Sequence, residues 1–477
     1  MPLYRKLILS AQASVQSRQP SKVDGVCRAV FAAVEGYLRR ENVAGNAASQ
    51  VRVALWVYAL LVALVTWASW SIYNRSGDEM TRPLFEKSEQ FNDLTNYVDK
   101  TAHLYHGAAA LGSGFPIFTY PAPAAFVYKA LLHTFPGHPI RPYLVFLAIC
   151  MVGFALVTWR AGHPSRAVWL AAAAAIVTTA VLGYPMWFTA DRGNLEGVAW
   201  ALSAAGLCFL LRGRLRTAAV LIGLAACVKP FSILFLLLLI RRRWFKQAAL
   251  SLVTTGLVTL AALTALGPNP WKAYRELRPG VNLYLGMYVA NLAQVEEERF
   301  NHSLLDGMKS AALTVKMGGI HPDKALVEVP KLSDDRTWEE HVVLPLVLVD
   351  EYIAIAGFML LLAVFYRMPM LNQLTALAVA TTLFPLCSGD YTLLALYVPF
   401  GALLVFLTRE VVPGKATFSY ASMLTFAVIY ALLFSPLTFL MLYAGDAKLL
   451  LLLALLFVAA RSPMPSEYFG DATAVAA

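Results

Sequence analysis

The residues best suited to chemistry in this sequence are charged groups beside long apolar runs. Asp93 is one of six acidic residues between the first apolar run and residue 100, and it lies on an amphipathic stretch. Desolvation by apolar surface makes a carboxylate more basic, which would suit a general base that removes a proton from a hydroxyl group. For each of the six, the alternative is a solvated loop carboxylate without a chemical role.

A lysine interrupts one of the apolar segments. Lys229-Pro230 lies in the middle of residues 217–240, which have arginines on both sides. Because proline continues a helix only at a cost, we expect two short helices that form a hairpin and turn at Lys229. Charges inside a membrane are candidates for function, and an ammonium at this turn could bind a lipid phosphate. The alternative is a side chain that only reaches out to the headgroups.

A second candidate for phosphate binding is Arg192, in the sequence Asp191-Arg192-Gly193-Asn194. Glycine lets the backbone approach a ligand closely, and helix N-termini attract anions. The alternative is a plain helix start, with Asn194 as the N-cap and a salt bridge beside it. The sequence leaves both interpretations open.

Three other groups of polar residues lie near apolar runs: Tyr120, the tripeptide Asn301-His302-Ser303, and the pair Asp390-Tyr391. The tripeptide has the form of a glycosylation sequon, a pattern that is frequent by chance. Asp390 is either a helix cap or a site residue. These residues are weaker candidates for a binding site.

The composition indicates that these residues belong to a membrane protein. Of the 477 residues, 58% are apolar and 14% are charged, whereas soluble proteins have about 25% charged residues. The net charge is +10, but the basic residues lie in short loops between apolar runs, which is typical of the cytoplasmic side of a membrane protein. The charge therefore indicates topology and not nucleic-acid binding.

These loops predict an all-α protein that crosses the bilayer about 12 times, since each span needs about 20 apolar residues. Residues 1–51 form a basic cytoplasmic segment, 52–460 the transmembrane domain, and 461–477 a cytoplasmic tail. The long acidic loops, about 74–140 and 267–343, lie outside and carry amphipathic helices. Residues 117–134 are apolar enough to span, but a span there would place Arg160, Arg166 and the basic residues at 212–216 outside, so we expect a loop helix that dips into the bilayer. Residues 187–194 are expected to form a short outer turn.

The five cysteines include no pair with metal-ligand spacing, and none lies in the two long acidic loops. A structural zinc site or disulfide is therefore not expected. No cofactor is required, and the outer-loop acids leave a divalent metal ion open as a possibility.

Three stretches resemble the motifs of one enzyme family. Residues 93–97 through 120–123 are similar to an acidic-aromatic loop followed by a Tyr-Pro-Pro helix. Gly193-Asn194, residues 223–225 and Lys229-Pro230 are similar to a Gly-Gln, Gly-Leu-Ala, Lys-Pro module, and residues 301–304 to an Asn-Gln-Ser-Leu turn. The family is glycosyltransferase family 87, the polyprenyl-phosphate-mannose-dependent mannosyltransferases with a C-type glycosyltransferase fold. Asn194 and His302 each replace a glutamine, and 388–391 stand where relatives often have Ser-Trp-x-His.

The resemblance covers residues 53–405 and implies an inverting hexosyltransferase with Asp93 as the catalytic base. It implies a polyprenyl-phosphate sugar as donor, a glycolipid or glycan as acceptor, and a site on the periplasmic face of the inner membrane. Lys229 and Arg192 are the expected phosphate contacts. The expected substrate contacts are Tyr97, Tyr120, Asp191, Asn194, Asn301, His302, Ser303, Asp390 and Tyr391. A transporter or lipid flippase is the alternative, which would place ionisable residues near the bilayer midplane.

Overall fold

The computed structural model is helical throughout the residues that it describes. These are 47–77, 81–84, 90–91, 93–94, 120–135, 138–267, 269–275, 300–321, 336–409 and 419–464. Within them the only strand-like pairing is an isolated bridge between Asn301 and Gly389. Tyr97 and most of the two predicted terminal segments lie outside the described residues.

The α-helices, in chain order, are α1 (Ala47–Ser76), α2 (Ala122–Thr134), α3 (Ile140–Gly162), α4 (Trp169–Leu182), α5 (Tyr184–Arg192), α6 (Glu196–Leu211), α7 (Leu215–Val228), α8 (Leu236–Arg241), α9 (Phe245–Leu266), α10 (Leu304–Met317), α11 (Arg336–Trp338), α12 (Leu344–Phe365), α13 (Met370–Leu383), α14 (Tyr397–Arg409), α15 (Tyr420–Leu433) and α16 (Ala444–Arg461). Short 3-10 helices cover Pro230–Phe235, Asp390–Leu396 and Thr438–Tyr443, and a π-helical turn covers Glu339–Val343.

Seven helical segments of the described chain are long and apolar enough to cross a membrane: Ala47–Ser76, Ile140–Gly162, Trp169–Arg192, Phe245–Leu266, Glu340–Phe365, Asp390–Arg409 and Thr438–Arg461. Five shorter apolar helices lie among them: Glu196–Leu211, Leu215–Val228, Pro230–Arg241, Met370–Leu383 and Tyr420–Leu433. The expectation of an all-α, multi-pass membrane protein is confirmed. The number of spans, about 12, stays a prediction.

The break at Lys229 occurs where the sequence predicts it. Lys229 has an extended backbone, with φ −134° and ψ 107°, and it separates α7 from the 3-10 helix that starts at Pro230. Helices α7 and α9 run in the same direction, since Gly223 lies against the carbonyl of Ser251 and Cys227, one turn later, contacts Thr259. The chain between them must therefore return to its starting level, which agrees with the expected hairpin.

Helix α2 is short compared with the thickness of a bilayer. The 13 residues of α2 extend about 20 Å, well short of the roughly 30 Å of a bilayer core, in agreement with a helix that does not span.

The predicted outer turn at 187–194 is wrong over most of its length, because 184–192 form α5. Pro185 is tolerated in the first turn of α5, and the reversal occurs only at Gly193, whose φ is 72°.

Hydrogen bonds tie the basic loops together at one end of the bundle. Arg409, at the end of α14, donates to the carbonyl of Ala161 at the end of α3. Arg241, at the end of α8, donates to the carbonyl of Tyr366 just after α12. Gly193 and Lys229 lie at the opposite end, because α6 and α7 connect them to the basic loop at 212–216. The charged candidates and the basic loops are therefore separated along the bundle axis.

Candidate active site

Asp93 is buried at the end of the bundle away from the basic loops, and three side chains donate to it. Its Oδ2 accepts hydrogen bonds from Asn194 Nδ2 at 2.7 Å and from Tyr120 Oη at 3.0 Å. Its Oδ1 accepts from Arg192 Nε at 3.0 Å, which makes an ion pair. Asp93 is only 3% exposed. The three hydrogen bonds therefore hold the carboxylate in one orientation.

Gly193 brings the loop that carries Asp93 against the junction of α5 and α6. Its positive φ of 72° ends α5, and a Cβ at this position would lie 2.7 Å from Cβ of Leu94. Beside it, the backbone N–H of Phe91 donates to the carbonyl of Asp191 at 2.6 Å. The close approach of the two backbones requires a residue without a side chain that tolerates the left-handed region. This contact positions Asp93 next to Arg192.

Asn194 fits both interpretations that the sequence leaves open. Its Oδ1 accepts from the backbone N–H of Glu196 at 2.9 Å, which satisfies a donor in the first turn of α6. Its Nδ2 donates to Asp93 and, at 2.8 Å, to Tyr120 Oη. Tyr143 supports the turn by donating to the carbonyl of Asn194 at 2.6 Å. One amide group therefore stabilises the start of a helix and orients the carboxylate.

The ammonium of Lys229 lies between two tyrosine rings at the same end of the bundle. Its Nζ is 4.9 Å from the ring centroid of Tyr120 and 5.1 Å from that of Tyr391, both within the range of cation–π contacts. It is also 3.4 Å from Oε2 of Glu196. The Lys229 side chain is 20% exposed. Lys229 therefore contacts side chains of the protein and does not only reach out to the headgroups.

Tyr120 connects the two charged groups. Its hydroxyl donates to Asp93, and its ring contacts Lys229. A carboxylate and an ammonium therefore lie in one site, with a single aromatic side chain between them. Such a pair can accept a proton at one end and stabilise an anion at the other.

The segment at 301–303 is joined to the turn at 388–389, far away in sequence. The backbone N–H of His302 donates to the carbonyl of Ser388 at 2.9 Å. Asn301 Oδ1 accepts from the N–H groups of Ser388, at 2.9 Å, and of Ser303, at 3.2 Å. Ser303 is the N-cap of α10, since its Oγ accepts from the N–H of Asp306 at 3.2 Å. These bonds fix the turn that leads into Tyr391.

A buried ion pair holds the next residue of that turn. Lys448 Nζ is 2.6 Å from Oδ2 of Asp390, and both side chains are 1% exposed. The Lys448 ammonium also lies 4.6 Å from the ring centroid of Tyr184. His302 Nδ1 is 3.5 Å from Oδ1 of Asp390. Burial lowers the pKa of His302 from its usual value although the Asp390 carboxylate opposes this shift, so we regard His302 as neutral near pH 7.

The predicted site residues thus fall into two connected groups. Those around the carboxylate and the ammonium are Asp93, Tyr120, Asp191, Arg192, Asn194, Lys229 and Tyr391. Those that hold the neighbouring turn are Asn301, His302, Ser303 and Asp390. In the described part of the chain, no group of three or more His, Cys, Asp or Glu residues could hold a metal ion.

Sequence reasoning assigned no role to two charged residues that the structure places here, Glu196 and Lys448. Lys448 follows the rule that singled out Lys229, because it is a charge at the edge of an apolar helix. The sequence gives no sign of its partner, since Asp390 is 58 positions away. Glu196 follows the Gly193-Asn194 motif after one intervening residue, Leu195, and it is the first residue of α6.

The fold and this site define a multi-pass membrane protein with a cluster of buried charged side chains at one end of a helical bundle. The family model of glycosyltransferase family 87 matches residues 118–389, more than half of the chain, and the chain belongs to that family. It is therefore a membrane glycosyltransferase. A search of curated proteins found no match. The matched region contains Tyr120, Arg192, Asn194 and Lys229, whereas Asp93 precedes it.

Proposed function

We propose that this glycosyltransferase moves a hexose, mannose or a relative of it, from a polyprenyl-phosphate donor to a lipid-linked or cell-envelope glycan acceptor. The observation that carries the proposal is the placement of Asp93 and Lys229 on either side of Tyr120. A lipid-linked donor suits a pocket between membrane helices, since the donor phosphate can reach Lys229 from the bilayer while its lipid tail stays in the membrane.

In the proposed reaction Asp93 is the general base. It accepts the proton of the acceptor hydroxyl as that oxygen attacks the anomeric carbon of the donor. A carbon–oxygen bond forms on one face of the sugar, and the bond to the phosphate oxygen breaks on the other, so the configuration inverts. The electron pair of the broken bond stays on the phosphate, which leaves as a monoester. The proton ends on Asp93, and no general acid is required for this leaving group.

Lys229 is proposed to bind the donor phosphate. Negative charge grows on that phosphate as the glycosidic bond breaks, and a fixed cation in a partly buried site stabilises it. Glu196, at 3.4 Å, and the two tyrosine rings hold the ammonium in place before the donor binds. Arg192 is proposed to contact the phosphate from the other side while its Nε orients Asp93.

The remaining site residues are proposed to shape the pocket. Tyr391 covers the ammonium, and its ring is nearly parallel to that of Phe188, with 21° between the planes. The 301–303 and 388–390 segments fix the position of this ring through the hydrogen bonds described above. We propose that these segments affect substrate binding chiefly by positioning Tyr391; their residues are Asn301, His302, Ser303 and Asp390.

We further propose that the pocket opens on the extracytoplasmic face of the plasma membrane. The hydrogen-bonded basic loops lie at the end of the bundle opposite Asp93. Short basic loops mark the cytoplasmic side of membrane proteins. This separation supports a site on the outer face, where polyprenyl-linked sugars would be used for envelope glycans.

The test is a transfer assay with the purified full-length chain in proteoliposomes, radiolabelled polyprenyl-phosphate mannose and a membrane lipid extract as the source of acceptors. We expect label in a more polar lipid product, with the anomeric configuration opposite to that of the donor. Lys229→Met should lower this transfer strongly. A product that retains the donor configuration would contradict Asp93 as a simple base. Label that crosses the vesicle membrane without any product would favour a flippase.

A further inference from the structure

A cavity lies on the membrane-embedded side of the bundle, away from Asp93 and Lys229. Its volume is about 330 Å³, and its walls come from α3, α6, α13 and α14. The lining is almost entirely apolar and includes Gly153, Phe154, Trp200, Ala204 and Gly401. Val157, on its rim, is 39% exposed, so the cavity opens sideways towards the lipid.

The dimensions of this groove fit one hydrocarbon chain. It follows α6 from Trp200 to Arg212, a rise of about 18 Å. The hydrocarbon depth of one leaflet is about 15 Å, half of the bilayer core. Small residues keep it open: a Cβ on Gly153, which lines the groove, would meet no atom within 4 Å. The groove is therefore long, narrow and apolar, like a lipid tail.

One end of the groove carries positive charge. Arg212 lines the cavity and is exposed. Arg160 at the end of α3, Arg214 in the loop after α6 and Arg216 at the start of α7 are also exposed at the same end. In the described part of the chain none of these four has an acidic partner within ion-pair distance. An apolar groove that ends at unneutralised arginines complements a molecule with a hydrocarbon chain and an anionic head.

We propose that this groove binds one acyl chain of an anionic phospholipid from the surrounding bilayer, with the phosphate at Arg212. The donor phosphate proposed for Lys229 is a different group, because Glu196, which contacts Lys229, and Arg212 are separated by 16 residues of α6, or about 24 Å. The lipid site thus lies in the opposite leaflet from the reaction. It does not depend on the proposed reaction being correct.

The test is native mass spectrometry of the purified full-length chain in detergent, with equal amounts of dioleoyl phosphatidylglycerol and dioleoyl phosphatidylcholine. We expect one tightly bound phosphatidylglycerol. Arg212→Gln should lower its preference over phosphatidylcholine about fivefold, the effect of one basic residue at an anionic surface. Arg216→Gln is the control for a charge at the same end of the bundle that does not contact the groove: Arg216 is in the first turn of α7 and does not line the cavity, so this variant should leave the preference unchanged. Ala204→Phe, which fills the groove, should abolish binding.

A second measurement needs no variant. Cys208 lines the cavity, whereas Cys387 does not. Added phosphatidylglycerol should slow the alkylation of Cys208 by a maleimide and leave Cys387 unchanged. Equal binding of both phospholipids, or Cys208 reactivity that lipid does not alter, would overturn the proposal. Polyprenyl phosphate that displaces phosphatidylglycerol from the groove would also overturn it, and would assign the groove to the tail of the donor.

Discussion

Replacing Asp93 by asparagine is the sharpest test of the proposed base. The substitution keeps the shape of the side chain and removes its charge and its ability to take a proton. Loss of a positioned general base lowers rates by about 10²–10⁴-fold, which corresponds to about 2.7–5.4 kcal/mol of transition-state stabilisation. We expect a loss of kcat in this range, with the KM for the donor changed little, because Lys229 and Glu196 stay in place.

The Asp93→Asn variant also breaks an ion pair, so it needs a control that breaks the same pair and keeps the carboxylate. Arg192→Gln does this, since Arg192 Nε is the charged partner of Asp93 at 3.0 Å. Both variants should lower the thermal unfolding temperature by similar amounts. Arg192→Gln should raise the donor KM and lower kcat by about tenfold, the lower end of what a charge-assisted hydrogen bond contributes, because Arg192 is partly exposed.

The assay is the initial rate of transfer from radiolabelled polyprenyl-phosphate mannose in proteoliposomes, measured over a range of donor concentrations and normalised to folded protein. Two results would refute the reasoning. One is an Asp93→Asn variant with kcat within about threefold of the parent. The other is an equal loss of kcat in the two variants, because Asp93 would then act only through its ion pair with Arg192.

Three further predictions concern Lys229, Lys448 and Gly193. Lys229→Met should raise the donor KM by about 10–100-fold, as expected for the loss of a charged hydrogen bond, and Lys229→Arg should recover part of it; an unchanged KM would remove Lys229 from the phosphate site. Lys448→Met should destabilise the fold by about 3–5 kcal/mol, because it leaves the Asp390 carboxylate buried without its partner. Adding Asp390→Leu should recover much of the unfolding temperature, and an additive loss would contradict this. Gly193→Ala should lower kcat, because its Cβ would push Leu94 away and displace the carboxylate. Gly213→Ala, at the same φ of 72° but with nothing within 4 Å, should leave kcat unchanged, and equal losses in the two variants would contradict the packing argument.

The local features of the fold could be predicted because short stretches of sequence encode them. Proline removes one hydrogen bond from a helix, and the helix ends at Lys229-Pro230, as the sequence predicts. The positions of the basic loops, and not the length of the apolar run, indicate that residues 117–134 do not span, and α2 has only 13 residues. The prediction for 187–194 was wrong because polar residues suggested a turn, although Pro185 is compatible with the start of a helix.

The contacts in the site could not be predicted, because they join distant parts of the chain. The ion pair between Arg192 and Asp93 spans 99 positions, and the one between Lys448 and Asp390 spans 58. Periodicity shows which face a residue occupies but not which helix lies opposite. The resemblance to a family gave the order of the motifs. Only the structure shows that Tyr120 stands between the carboxylate and the ammonium.

The charged residues of this site lie where helices end, and the membrane explains why. Backbone outside a helix leaves N–H and C=O groups unpaired, which a bilayer tolerates only where protein covers them or where they line a cavity. The chain leaves helical geometry at Gly193, at Lys229 and before Asp390. Residues from other parts of the chain cover each of them: Tyr391 covers Lys229, Leu94 covers Gly193, and Asn301 pairs with the turn before Asp390. The polar groups at these breaks therefore lie together at one end of the bundle, where a polar reaction can take place.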